Sequence, residues 1–162
     1  MKATAPRKRW IPGAIVLWLL AIGWVCVIFF FSGQDGVSSS NLSYRVARLV
    51  SRLLNGQVSA DRIHPFLRKL AHFGIFAVEG FLLTLALCAT WRRTFLSASL
   101  ALSACAAMAC LNELHQRFSE GRVCSLRDVL IDSSGALAGI LVACGMVALL
   151  QSIRRKRTQK FI

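Results

Sequence analysis

The chain has 162 residues, of which 56% are hydrophobic, with 20 Lys/Arg against 7 Asp/Glu and a formal net charge of +13. Long apolar runs at that composition exclude an ordinary soluble domain and point to the membrane class. The charge does not indicate nucleic acid: there is no helix-turn-helix pattern, zinc-ligand spacing or RNP-like aromatic motif with it, and its position beside apolar runs fits anionic lipid.

In chain order, residues 1–10 form a basic tail with Lys2, Arg7, Lys8 and Arg9, closed by Trp10. The apolar run 11–31 has roughly the ~20 residues needed to cross hydrocarbon, longer than a signal-peptide core and without a small-residue cleavage site. It reads as a retained first span. SGQDG (32–36) breaks it, and 41–55 is amphipathic: Leu42, Val46, Leu49, Val50 and Leu53 recur at helical spacing, with Arg45, Arg48 and Arg52 at i, i+3 and i+7. This predicts an interfacial helix with its arginines on lipid headgroups, the alternative being a solvated helix that packs on the bundle. Asp61, Arg62 and His64 before Pro65 read as a turn into the second span and not as a site.

That span, 68–90, carries Lys69, His72 and Glu79 on one helical face and ends on Trp91, Arg92 and Arg93 at an interface. The third, 95–115, is rich in Ser and Ala, which allow close helix approach, so it is expected to be the central and most buried helix. The fourth, 128–150, contains a GxxxG pair, Gly135 and Gly139, and a basic tail, 151–162, follows. The fold expected is an all-α membrane protein with four transmembrane helices and an amphipathic interfacial helix between spans one and two.

Both tails and the Arg92/Arg93 turn hold eleven of the 20 Lys/Arg, in dense clusters beside span ends. The positive-inside rule then puts both termini in the cytoplasm and Leu111–Gly139 at the outer face. Glu113, Gln116 and Glu120 share one helical face there, and Asp128 and Asp132 another. Gly121 suits a turn, and Ser125 a cap of the fourth span. With Lys69, His72 and Glu79 from span two, the expected pocket comprises Lys69, His72, Glu79, Glu113, Gln116, Arg122, Asp128 and Asp132. Such a set suits a divalent cation on carboxylate oxygens, acid/base work by Glu113 with His72, or a grip by Lys69 and Arg122 on a lipid phosphate. It equally suits a salt-bridge network that fixes helix register and binds nothing.

No Ser, Cys or Thr has an evident base partner in the sequence, so nucleophilic catalysis has no support there, and no inverted repeat suggests a transporter. Glu120 is expected in solvent, and His115 off the Glu113 face. The six cysteines show no zinc or CxxC spacing; Cys110 and Cys124 are the one pair placed to meet. No resident cofactor is predicted, with a divalent cation the single option, and the expected partners are membrane lipids, anionic or polyprenyl-linked, with room for a homo-oligomer.

These residues resemble the VanZ-like family of small bacterial membrane proteins. Its R-K-x-x-H-F block is matched by Arg68, Lys69, His72 and Phe73. Its second block is matched by Glu113, Gln116, Gly121, Arg122, Ser125, Asp128, Val129, Gly135 and Gly139, and its F-S-x-Q segment by Phe31, Ser32 and Gln34. The resemblance covers about Trp10 to Leu150. The sequence departs from it at Ile75 and Phe76, where an acid and a Tyr are usual, with Glu79 one turn below. Asn112 stands where Asp is common, and Asp132 where Asn is. The resemblance implies the bacterial cytoplasmic membrane and an envelope role, since the namesake is associated with low-level resistance to the glycopeptide teicoplanin. A membrane enzyme acting on a phospho- or glycolipid headgroup is the alternative.

Overall fold

A computed structural model describes residues 11–33, 36–118 and 124–159, and within them regular structure is helical, without strand. The helices are α1 (Ile11–Ser32), α2 (Gly36–Leu53), α3 (Ala60–Trp91), α4 (Thr94–Gln116) and α5 (Leu126–Gln159). Four of them, all but α2, are long and apolar enough to cross a membrane. Large apolar side chains such as Ile15, Leu19, Phe95, Leu141 and Val142 point outward, as lipid contact requires.

The bundle is centred on α3, which packs on each of the other four helices. This corrects the expectation that the Ser/Ala-rich third span is central. The small residues of α4 do make a seam, Ser97, Ala101, Cys105 and Ala109 at four-residue spacing, but one seam wide: Ser99, Ser103, Ala104 and Ala107 are exposed. Backbone contact at the centre is made between α3 and α5 instead. A Cβ on Gly139 would overlap the Ala77 carbonyl, one on Gly135 the Phe73 carbonyl, and one on Gly80 the Ala136 carbonyl. The Gly135/Gly139 pair thus lets two parallel helices touch main chain to main chain.

Helix α1 runs antiparallel to α3 and is tied to it twice. Trp24 Nε1 donates to the Ile75 carbonyl at 2.9 Å, and Trp18 Nε1 to Thr90 Oγ1 at 3.1 Å. Ala21 and Ile28, seven residues apart, share that buried face. Ile28 joins Phe76, Cys105, Ala109 and Ala136 in the main apolar core; Leu87, Ala101 and Ile140 form a second cluster.

Two helices overrun their expected spans. The stretch expected as a turn before Pro65 is helical, because α3 starts at Ala60. Pro65 deprives the Asp61 carbonyl of its intrahelical donor, tolerable this close to a helix start. At the other end α5 runs 34 residues, roughly 51 Å at the α-helical rise against ~30 Å of hydrocarbon, so it carries Arg154–Arg157 beyond the apolar layer.

The amphipathic helix α2 starts earlier than expected, at Gly36, and rests on α3. It presents three sectors, not two. Ser40, Ser43 and Ala47 face the protein, Arg45, Arg48 and Arg52 are exposed on the far side, and between them Val46, Leu49 and Leu53 are 46%, 57% and 74% exposed. An outward apolar strip beside a cationic strip is the arrangement of a helix lying in a membrane interface.

Candidate functional site

The polar residues gather at the end of the bundle where α2 sits. On α3, His72 is half-buried, and its Nδ1 lies 3.2 Å from Asp132 Oδ1 on α5, whose side chain is fully buried. This is the one contact between a basic and an acidic side chain among the described residues. One helix away, Glu113 Oε2 accepts the backbone N–H of Ser125 at 2.8 Å. The Ser125 carbonyl in turn accepts the N–H groups of Asp128 and Val129 at 3.0 and 3.3 Å. Glu113 therefore ties the last turn of α4 to the start of α5, a carboxylate against the positive end of a helix.

Beside this layer lies a half-open cavity of about 470 Å³ bounded by α1, α2, α3 and α4. Its wall is mostly apolar, with Ile28, Phe31, Val46, Leu67, Leu70, Ile75 and Phe76. Six polar side chains interrupt it: Ser32, Ser43, Arg68, His72, Asn112 and Gln116. Three of these carry buried atoms without a hydrogen-bond partner, Ser32 Oγ, Asn112 Oδ1 and Gln116 Nε2. Leaving one such atom unsatisfied costs about 1–3 kcal/mol, and native interiors leave few. All three lie just beneath the cavity wall, closed to water, so a molecule in the cavity bonds to them only if the side chains turn toward it.

His72 and Gln116 line the cavity, and Asp132 and Glu113 stand behind it, each with one oxygen bonded and the other buried and free of a partner. Glu79 is buried in the bundle with Oε2 unpartnered and is not on the cavity wall. Lys69 and Asp128 are half-buried and form no ion pair with a described residue. Arg122, with Glu120 and Gly121, lies outside the described residues. His115 packs edge-on against Phe29, with ring centroids 5.9 Å apart, away from the Glu113 carboxylate. Among the described residues no three His, Cys, Asp or Glu side chains are grouped to hold a metal ion. Cys110 and Cys124 are both free thiols, so the pair placed to meet does not form a disulfide.

The cavity adds residues that the sequence treats only as family matches or departures: Ser32, Arg68 and Asn112. Their signal was position, since Asn112 and Gln116 are four apart on α4 and one turn of helix aims them the same way. A second addition is a serine–histidine contact that the residue order does not show; the Ser43 hydroxyl also donates to the Ser40 carbonyl at 3.1 Å. Ser43 Oγ lies 2.8 Å from His64 Nε2, with Ser40 Oγ at 3.4 Å from the same nitrogen. These partners come from α2 and α3, 21 residues apart, a separation that no local spacing rule detects.

Set against known families, the chain matches the VanZ/LLP1 family model over residues 17–150. It belongs to the VanZ/LLP1 family. The matched segment takes in most of α1, all of α2, α3 and α4, and α5 up to Leu150, and so every wall of the cavity. No curated protein and no solved structure matches the chain.

Proposed function

We propose that this VanZ/LLP1 protein sits in the bacterial cytoplasmic membrane with both termini in the cytoplasm, and binds a lipid or lipid-linked molecule in the cavity between α1 and α4. The supporting observation is an apolar wall interrupted by Arg68, His72, Asn112 and Gln116, with unpartnered Ser32, Asn112 and Gln116 atoms just beneath it. The volume is in the range of small-molecule sites. An isoprenoid or acyl tail fits beside Phe31, Val46 and Leu70, and the head lies toward Arg68, His72, Asn112 and Gln116. Arg68 supplies a fork for phosphate, and Asn112 and Gln116 supply one acceptor and one donor for hydroxyl or amide groups. The arginines of α2 rest on headgroups beside the opening.

The test is binding of a fluorescent polyprenyl phosphate to purified protein. Replacing both Asn112 and Gln116 by Leu is expected to weaken binding at least tenfold with the helical fold retained; unchanged binding favours a charge network that serves register alone. In a susceptible host the same reading predicts reduced sensitivity to teicoplanin, reversed by the double substitution.

One observation favours a second reading, a membrane enzyme acting on a phospho- or glycolipid headgroup. Ser43, on the cavity wall, is within hydrogen-bond distance of a histidine, the relation of a nucleophile to its base. Against it, the carboxylate one turn before His64, Asp61, is bonded to Tyr44 and does not orient the imidazole. Product release from a lipid-phosphate panel that disappears on Ser43→Ala would favour the enzyme; its absence in the wild type rejects it.

A further inference from the structure

The opposite end of the bundle, where α1 begins and α5 ends, carries a separate groove of about 1190 Å³. Leu17, Leu85, Met146 and Val147 form its apolar wall, and Arg92, Arg154, Arg155 and Arg157 line its mouth. All four arginines are exposed, and none pairs with an acid among the described residues. The sequence supplies none nearby: no Asp or Glu falls before Asp35, between Glu79 and Glu113, or after Asp132.

Arg92 sharpens the point. It ends α3 in the left-handed conformation, φ 56°, with its N–H on the Cys88 carbonyl. Glycine occupies that position at least strain; the cap turns the chain there and sets Arg92 at the mouth of the groove. Helix α5 brings Arg154 and Arg155 to the same groove by continuing past the apolar layer.

We propose that this groove is a site for an anionic glycerophospholipid, with its chains along Leu17, Leu85 and Met146 and its phosphate held between Arg92 and the Arg154/Arg155 pair. An apolar wall below and guanidinium forks above match such a lipid in both halves, and basic clefts between transmembrane helices hold acidic headgroups by this combination. Four arginines exceed what one phosphate neutralises, so a two-phosphate lipid such as cardiolipin binds more tightly than phosphatidylglycerol.

The experiment is lipid retention by the full-length protein in mild detergent, read by native mass spectrometry with cardiolipin, phosphatidylglycerol or phosphatidylcholine at equal mole fraction. Anionic lipid is retained at least tenfold over phosphatidylcholine. The Arg92→Gln/Arg154→Gln/Arg155→Gln variant loses that preference, while Lys156→Gln, outside the groove, keeps it. If the triple variant loses helix content, wild-type protein in rising salt replaces it: retention of anionic lipid falls and that of phosphatidylcholine does not. Equal retention of phosphatidylcholine overturns the proposal. So does a Lys156→Gln loss equal to that of Arg155→Gln, which means diffuse charge. Tenfold tighter binding of an acidic peptide that displaces lipid also overturns it and identifies the groove as a protein-docking surface.

Discussion

His72 Nδ1 stands 3.2 Å from Asp132 Oδ1, and this contact joins α3 to α5 at the edge of the cavity, the histidine side chain 21% exposed and the aspartate fully buried. Removing the acceptor leaves the imidazole without its partner in a low-dielectric layer. Asp132→Ala is expected to lower stability by about 2–3 kcal/mol, read as a fall in the detergent unfolding midpoint. Asp132→Asn, which keeps a carbonyl acceptor, costs less than half as much. Equal losses for the two would mean that packing, and not this bond, holds Asp132.

The close approach of α3 and α5 gives a second prediction. Gly139→Ala puts a methyl group onto the Ala77 carbonyl, whereas a methyl group on Gly145 meets nothing within 4 Å. Overpacking of this kind costs about 1–3 kcal/mol, and a helix interior gains about 0.5–1 kcal/mol when glycine becomes alanine without a clash. Gly139→Ala therefore lowers the unfolding midpoint and Gly145→Ala holds or raises it. A Gly139→Ala protein as stable as wild type contradicts the backbone contact.

Docking of α2 can be followed through the chain's one tyrosine. Tyr44 donates its hydroxyl proton to Asp61 Oδ1 at 3.0 Å. That hydrogen bond, with the negative charge of the same carboxylate, raises the phenol above its ordinary value, which is about 10. Because the folded value is raised, the contribution to docking is complete below about pH 10 and is lost as pH rises through the folded midpoint. Tyrosinate absorbance is expected to titrate above the ordinary value in the wild type and to move down in Asp61→Asn. An unchanged midpoint in the variant contradicts the contact.

The four spans and the amphipathic helix were legible because apolar length and helical period are local properties. Which helix lies at the centre was not. In a lipid solvent the outward face of α4 can be as apolar as its inward one, so Ala and Ser content signals close packing without saying how much of the circumference packs. For the site, helical period groups Glu113 with Gln116 on one face of α4 and Lys69, His72 and Glu79 on one face of α3, but period does not say which neighbour a face meets. Lys69 shares a stripe with His72 and still forms no ion pair with a described residue, and Glu79 is buried one turn too deep to reach the cavity. The Ser43–His64 contact joins two helices through a turn with positive φ at Asn55 and Gly56, a geometry the residue order alone does not determine.

The most direct measurement is density in the cavity bounded by Ser32, Arg68, Asn112 and Gln116 in an experimental structure of the full chain in a bacterial lipid bilayer. Ligand binding predicts an elongated molecule along Phe31, Val46 and Leu70 with its polar end in hydrogen-bond range of Asn112 Oδ1 or Gln116 Nε2. A closed cavity in which Asn112 and Gln116 satisfy each other, with no lipid between α1 and α4, would contradict it.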